Sequence, residues 1–471
     1  MLILECRRDQ HNLPIYTLRL PGVRMYVVNS ISLLQAVQRQ TKVLSFEALK
    51  VRAAFNISGA SMIANEIVDS DEYGGKGSGG YATAFHKTLH AELSPNSPAM
   101  EAMNAAVADA ITSCLDHAKT SKNIEEFGLF EWIKHEVGLI TTDTVYGPEN
   151  PFRNFETERS FWTFESGLIF MASGMSKFLK KTVRAREDLV SAFEQYFRNK
   201  SHLQGAGVIK ARYDFNAKNQ IPLPDIARFE LGGCIALLTN IVPTCFWMIY
   251  HVYSDPTILQ SCRKEISAIT KDSTSPYDAH IFSIDAAALD SSCPTLLATF
   301  REVLRFRTVG TSARLVMQDH MLDGQYLLKK GGMIMMSGPV QHSDTSVWGV
   351  NSGEFDHTRF LKPDKRIPAA AFRAFGGGSS LCPGRHLATT IILGFTAMII
   401  MQYDVIPTAG VWPRATTSKA GGWEVSPKPD ADIDVALHPR KDGDSVGIWC
   451  LKSCKAHRAL QVTVEDLEND R

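Results

Sequence analysis

Between Glu230 and Asp255 the chain carries no aspartate, glutamate, lysine or arginine. A run of that length and hydropathy either crosses a bilayer or lies in the middle of a protein core. Thr239, Asn240 and Pro243 interrupt it and no positive cluster flanks it, which is not the pattern of a membrane span. The segment therefore reads as a long helix, apolar on all sides and buried in protein. A chain of 471 residues, 44% of them hydrophobic, supplies a core large enough to hold it.

The rest of the chain sorts around that helix. Residues Met100 to Phe197 are mostly helical in pattern, broken at Tyr146-Gly-Pro-Glu-Asn-Pro151. Tyr16 to Val28 reads as a hairpin around Pro21-Gly22, and β-rich runs return at Thr311 to Val316, Tyr326 to Met336 and Ile433 to Leu437. The expectation is a mainly α protein with small β-sheets, forming one domain over residues 1–471. Gly74 to Gly80 lacks the Gly-Lys-Ser/Thr ending of a phosphate loop and reads as a surface loop. The 50 basic and 50 acidic residues cancel, so no nucleic-acid partner is expected. Nine scattered cysteines show no metal-type pairing beyond Cys450-x-x-x-Cys454, so zinc is not expected and a reducing compartment is. The apolar start, Met1 to Cys6, is too short for a signal peptide or an anchor helix.

The chemistry concentrates in Phe375-Gly-Gly-Gly-Ser-Ser-Leu-Cys382-Pro-Gly384-Arg385. A glycine-dense loop delivers a thiol to the start of an apolar helix, Leu387 to Met401. Pro383 fits the first helical position, which places Cys382 near the cap. Backbone N–H groups and the helix dipole at such a place lower a thiol's pKa and favour the thiolate that binds metal. A buried structural cysteine is the alternative.

The spacing Phe-x-x-Gly-x-x-x-Cys-x-Gly resembles the haem-binding loop of the cytochrome P450 family. The resemblance implies a P450-type fold, with a long central distal helix, and haem b held by Cys382. It gives Phe375 the task of shielding the sulfur, Gly378 that of shaping the loop and Gly384 that of letting the helix approach the macrocycle. Glu302-Val-Leu-Arg305 matches the family's Glu-x-x-Arg, and Arg359 in Phe355-Asp-His-Thr-Arg359-Phe360 matches the third member of a buried structural triad. Arg314 matches a haem-propionate partner. Two departures stand out. The arginine or histidine that relatives often carry two residues before the cysteine is Ser380 here, and an early Trp-x-x-x-Arg is missing. His86 or Lys87 is expected to supply the lost propionate donor.

The central helix also lacks the acid that relatives place beside a threonine for proton delivery. Asn240 and Thr239 are the distal candidates. Their alternative role is to satisfy backbone groups that Pro243 frees. Asn240-x-x-Pro-x-x-Phe-Trp247 resembles the subgroup of prostacyclin synthase and the sterol hydroxylases. Trp348-Gly349 and Tyr146 to Phe152 resemble members from filamentous fungi that act in secondary metabolism. The resemblance thus implies a monooxygenase that hydroxylates a bulky apolar metabolite, a terpenoid, polyketide or alkaloid, with O₂ and electrons from NADPH–cytochrome P450 reductase, and cytochrome b5 as a further donor. An O₂-independent haem isomerase or dehydratase, and a non-catalytic haem binder, are the other readings. Relatives sit on the cytoplasmic side of the endoplasmic reticulum through an anchor helix that is not expected in this chain. Phe161 to Met171 reads as an access roof or as ordinary helix core.

Overall fold

The computed structural model describes residues 13–20, 22–70, 80–120, 126–274, 280–361, 367–421, 424–440 and 447–453. Pro21, residues 74–79 of the glycine-rich stretch, Cys6 and Cys454 lie outside the described residues, so the zinc and phosphate-loop readings lie there too. The described cysteines are all free.

The uncharged run is buried in protein, and it is two helices rather than one. Leu223–Leu238 and Ile241–Tyr253 meet at a turn formed by Thr239 and Asn240, and every residue of the second helix is buried. Pro243 explains the break. It has no N–H to offer the carbonyl one turn earlier, at Thr239. The Asn240 side chain meanwhile accepts from the Ser426 N–H at 3.2 Å, which ties the break to a distant loop. A second core helix, Arg385–Gln402, follows the cysteine loop. Both apolar segments are long enough to cross a membrane, but 94% of the Arg385–Gln402 window is buried inside the protein. Two aromatic tips of the first segment find partners within the core. Trp247 Nε1 donates to the Pro427 carbonyl at 2.8 Å and the Tyr253 hydroxyl to that of Tyr403 at 2.9 Å.

Helices Pro98–Thr120, Leu129–Tyr146 and Lys180–Arg198 pack around this centre. The expected break after Tyr146 consists of two 3₁₀ turns, Gly147–Glu149 and Pro151–Arg153. Gly147 has φ +73°, and a Cβ there would lie 2.7 Å from the Gln204 carbonyl oxygen, so only glycine fits. Phe161, Phe164 and Met171 are fully buried in the main core and none lines the cysteine cavities described below, so these side chains are helix core, while Ile169 and Phe170 are exposed.

The hairpin Ile15–Leu20 and Val23–Val28 pairs in antiparallel register from Ile15 with Val28 to Leu20 with Val23. It heads a five-stranded sheet that continues through Met333–Ser337, Thr311–Val316 and Leu44–Ser45. Asp434–Pro439 lies between Tyr403–Pro407 and Phe127–Gly128 in a smaller sheet. The five-stranded sheet covers its own small core, and its inner strand Thr311–Val316 brings Arg314 up to the cysteine loop.

Candidate active site

The cysteine loop is closed on itself. The Cys382 N–H donates to the Phe375 carbonyl at 2.9 Å, and two glycines make the reversal possible. Gly376 has φ +83° and Gly378 φ +56°, while Gly377 is extended at 172°. A Cβ on Gly376 would strike the Ser380 carbonyl oxygen at 2.6 Å. At Gly384 a Cβ would meet nothing within 4 Å, because that residue opens onto a cavity.

Two expectations about the thiol are corrected. The helix starts at Arg385 with Gly384 as its cap, so Pro383 and Cys382 both precede the helix. Burial also outweighs the local donors. The Gly384 N–H and the Arg385 charge favour the thiolate, yet the thiol is pushed above its ordinary range because protein surrounds it. Its remaining exposure is to the interior cavity. Alone, this cysteine is a thiol; a cation on the sulfur would be needed to make it a thiolate.

Two cavities of about 380 and 520 Å³ meet at Cys382. Each is within the about 300–1,000 Å³ range of cofactor and small-molecule sites. Both are walled by Cys382 and Pro383 on one side and by Ala236 of the broken central helix on the other. Phe375 and Gly384 line the smaller one, and His86 the larger. Their lining is otherwise mainly apolar.

Two guanidiniums stand on the cysteine-loop side of the smaller cavity, Arg373 on its lining and Arg314 behind Ser380. Arg314 is 1% exposed; its Nη2 donates to Ser380 Oγ at 3.1 Å, and its buried Nε has no hydrogen-bond partner. Burial pushes this guanidinium down to about 10, and Arg373 beside it pushes the same way. Arg314 thus reaches the position from which the family's usual arginine is missing. Arg373, which lines the smaller cavity, was not legible as a site residue; its place two positions before Phe375 was the only signal. On the other side, His86 lines the larger cavity but is pushed down to about 4 by burial and by Lys50, so it is a neutral ring near neutral pH. Lys87 is exposed and does not line either cavity; the cations that line the larger one are Lys50, Arg212 and Arg228. A buried guanidinium with one unpartnered N–H and no carboxylate beside a second guanidinium, a thiol facing apolar walls and an open cradle at Gly384 fit a haem with two carboxylates.

A buried ion cluster braces this loop from behind. Glu302 is fully buried and takes a two-pronged grip from Arg305, Nε at 2.8 Å and Nη2 at 2.7 Å. It also accepts from the Asp356 N–H at 2.8 Å and from Arg359 Nε at 3.4 Å. Arg305 Nη1 donates to the carbonyls of His342 and Ser352. The His342 ring, pushed down to about 3 by burial, is neutral, and its Nε2 accepts from the Arg373 N–H at 3.1 Å. Glu302, Arg305, His342 and Arg373 therefore run as a chain of contacts into the cysteine loop.

The distal wall is less as expected. Asn240 lines the smaller cavity, but its Oδ1 is occupied by Ser426, which leaves the amide NH₂ as the group it has to offer. Thr239 lines neither cavity, and its hydroxyl donates to the Ile235 carbonyl at 2.8 Å. The hydroxyl of the second helix that lines the smaller cavity is that of Thr244, which donates to the Asn240 carbonyl at 2.7 Å and meets Ser426 Oγ at 3.0 Å. A buried pair, Arg212 and Glu230, faces both cavities through Arg212, with Nη1 to Oε1 at 2.7 Å. The Tyr146 hydroxyl donates to the same Glu230 oxygen at 2.8 Å.

Comparison with known proteins agrees with this geometry. The family model described as cytochrome P450 matches residues 238–430, which include the break in the central helix and its second half, the ion cluster and the cysteine loop. A cytochrome P450 monooxygenase of Gibberella zeae is 27% identical over 73% of this chain and 70% of its own. Cholesterol 7-alpha-monooxygenase of Cricetulus griseus is 21% identical over 45% of each chain. The cytochrome P450 monooxygenase nodJ of Hypoxylon pulicicidum is 31% identical over 92% of this chain and 84% of its own. With likeness of that extent, and with a cysteine loop, ion cluster and thiol-lined cavity in the family's arrangement, the chain belongs to the cytochrome P450 family of haem-thiolate monooxygenases.

Proposed function

We propose that this monooxygenase hydroxylates a bulky, mainly apolar metabolite of fungal secondary metabolism, with Cys382 as the ligand of haem b and NADPH–cytochrome P450 reductase as the electron source. The observation that carries the reading is the Cys382 thiol at the junction of two apolar cavities, with the Arg373 guanidinium on the wall of one and Arg314 behind it. When bound, the haem supplies the oxygen activation that no side chain of the cavity provides. Cys382 and Arg373 would hold it, with Arg314 behind Ser380 as a further cation; Phe375 would cover the sulfur. The substrate is held by apolar walls, and Arg212 offers one polar contact. Because Glu230 already balances that charge, Arg212 suits a neutral carbonyl or hydroxyl better than a carboxylate. Asn240 offers amide N–H groups to an oxygen in the smaller cavity. Cytochrome b5 as a second donor, the cytoplasmic face of the endoplasmic reticulum as the setting and a single catalytic domain over residues 1–471 belong to the same reading.

The test is Cys382→Ser in protein loaded with haem. The wild type is expected to give the red-shifted Soret band of the reduced carbon monoxide complex and reductase-dependent NADPH oxidation. The variant is expected to lose both. Persistence of that band in Cys382→Ser would overturn the ligand assignment.

A further inference from the structure

The central helix carries no acid, yet a carboxyl lies just behind its break. Glu165 ends the helix Phe155–Glu165 and lines a pocket of about 70 Å³ together with Thr239, Pro243, Glu424, Ser426 and Lys428. One water needs about 10–15 Å³ of such space, so the pocket has room for water. Ser426 lines this pocket and also the smaller Cys382 cavity, which makes it the shared wall between them. It is buried, and its hydroxyl meets that of Thr244 at 3.0 Å, while its N–H fixes Asn240. Thr244 in turn lines the Cys382 cavity. A carboxyl, a water-sized pocket and two touching hydroxyls therefore lead from the surface to the cavity through the gap that the turn at Thr239–Asn240 opens.

We propose that Glu165 feeds protons to the Cys382 cavity through Ser426 and Thr244, in the place of the acid that the central helix lacks. This rests on the monooxygenase reading above. The overall reaction, RH + O₂ + 2e⁻ + 2H⁺ → ROH + H₂O, takes its electrons from the reductase and needs two protons inside a cavity with mainly apolar walls. For each proton, the Glu165 O–H breaks and a pocket water passes the charge to Ser426. Ser426 gives its own hydroxyl proton to Thr244, whose hydroxyl turns from the Asn240 carbonyl, its acceptor at 2.7 Å, to give its own to the cavity. Solvent restores the proton on Glu165, so no residue is changed by the cycle. Asn240 cannot substitute for the acid, because a side-chain amide has no titratable proton.

The charges around Glu165 suit this role. Lys134 and Glu131 face it from the helix Leu129–Tyr146, and Glu424 and Lys428 from the segment after residue 424. The two lysines are matched by the other two carboxylates, and Lys134 is already paired with Glu131. Burial, with Glu424 adding to it and Lys428 and Lys134 opposing, pushes Glu165 up to about 7. An acid of that strength both gives and regains a proton near neutral pH.

Two measurements test the relay in the full chain. Infrared pH titration is expected to show a protonated carboxylic acid that survives to about pH 7 and is absent in Glu165→Gln. With haem, reductase and dioxygen, NADPH oxidation is expected to fall as the pH rises through about 7 in the wild type. Glu165→Gln and Ser426→Ala should slow it at least ~10-fold below that pH, with the pH dependence lost in Glu165→Gln. Glu165→Asp should restore part of the rate. Unchanged rates and pH profile in both variants would overturn the relay, as would a wild type without the neutral-pH carboxylic acid band. Loss of haem content in Glu165→Gln and Glu165→Asp alike would assign a structural role and overturn it equally. A wild type that shows the band but oxidises no NADPH counts against the reductase-driven reading, and the band then stands as support for Glu165 as a neutral-pH acid.

Discussion

Replacing Glu302 with glutamine changes one atom of the side chain and removes one charge. Four donors converge on that carboxylate: Arg305 Nε and Nη2, the Asp356 N–H and Arg359 Nε. Glutamine keeps one acceptor and turns the other position into a donor that points at a guanidinium. At least one strong bond is lost, and two arginines at 2% and 8% exposure are left with no charge partner in the cluster. Breaking a buried pair in this way typically costs about 3–5 kcal/mol. At 1.4 kcal/mol per factor of ten, the folded-to-unfolded ratio falls by about a hundredfold to a few thousandfold. The damage should also travel. Arg305 holds the His342 carbonyl, and the His342 ring holds the Arg373 N–H at the root of the cysteine loop. The expected result for Glu302→Gln is a lower urea midpoint and little haem per mole of protein. A variant with wild-type haem content and a stability within about 0.5 kcal/mol would refute the reasoning, since that is the range of ordinary surface changes.

The remaining predictions concern the same loop and its surroundings. His342 and His251 are buried and held neutral, the first pushed down to about 3 and the second well below its usual range beside Arg307. In acid the unfolded chain takes up protons there that the folded chain refuses, so stability falls as the pH drops below about 6.5, by about 1.4 kcal/mol per pH unit for each ring. His342→Gln should flatten that fall in urea titrations at successive pH values; an unchanged slope would contradict the assignment. Arg314→Met is expected to raise the stability of the haem-free protein, because a poorly partnered buried cation is removed, and to weaken haem retention, because a carboxylate partner is lost. Both are read by denaturation and by haem transfer to an acceptor protein, and a loss of haem-free stability would speak against it. Gly376→Ala must hold φ +83° and place a Cβ 2.6 Å from a carbonyl oxygen. It should cost at least about 1–2 kcal/mol, visible as faster hydrogen exchange at the Cys382 N–H; unchanged exchange would be the contrary result.

What the sequence made legible follows from how local each signal is. The cysteine loop could be read because its geometry is written in adjacent residues: Gly376 and Gly378 take positive φ, and Cys382 bonds back to Phe375. Glu302 and Arg305 lie one helical turn apart, so their pairing is also a short-range fact. The hairpin Ile15–Val28 was readable for the same reason. The errors arose where burial or distant partners decide. A cap position argues for a thiolate at Cys382, but enclosure by the whole protein reverses the sign. A place in the stretch where the early Trp-x-x-x-Arg is missing argues for a propionate donor at His86, but burial and Lys50 make it neutral. Thr239 and Asn240 adjoin in sequence, yet the turn that Pro243 induces sends them to different sides, one toward the Glu165 pocket and the other toward Cys382. Ser426, which joins those sides, carries no local pattern at all: it matters only because residues 240, 244 and 165 fold against it. The absence of an acid from the central helix was visible in the sequence; that a carboxyl from another helix stands behind the break required the fold, because only packing brings residue 165 to residue 239.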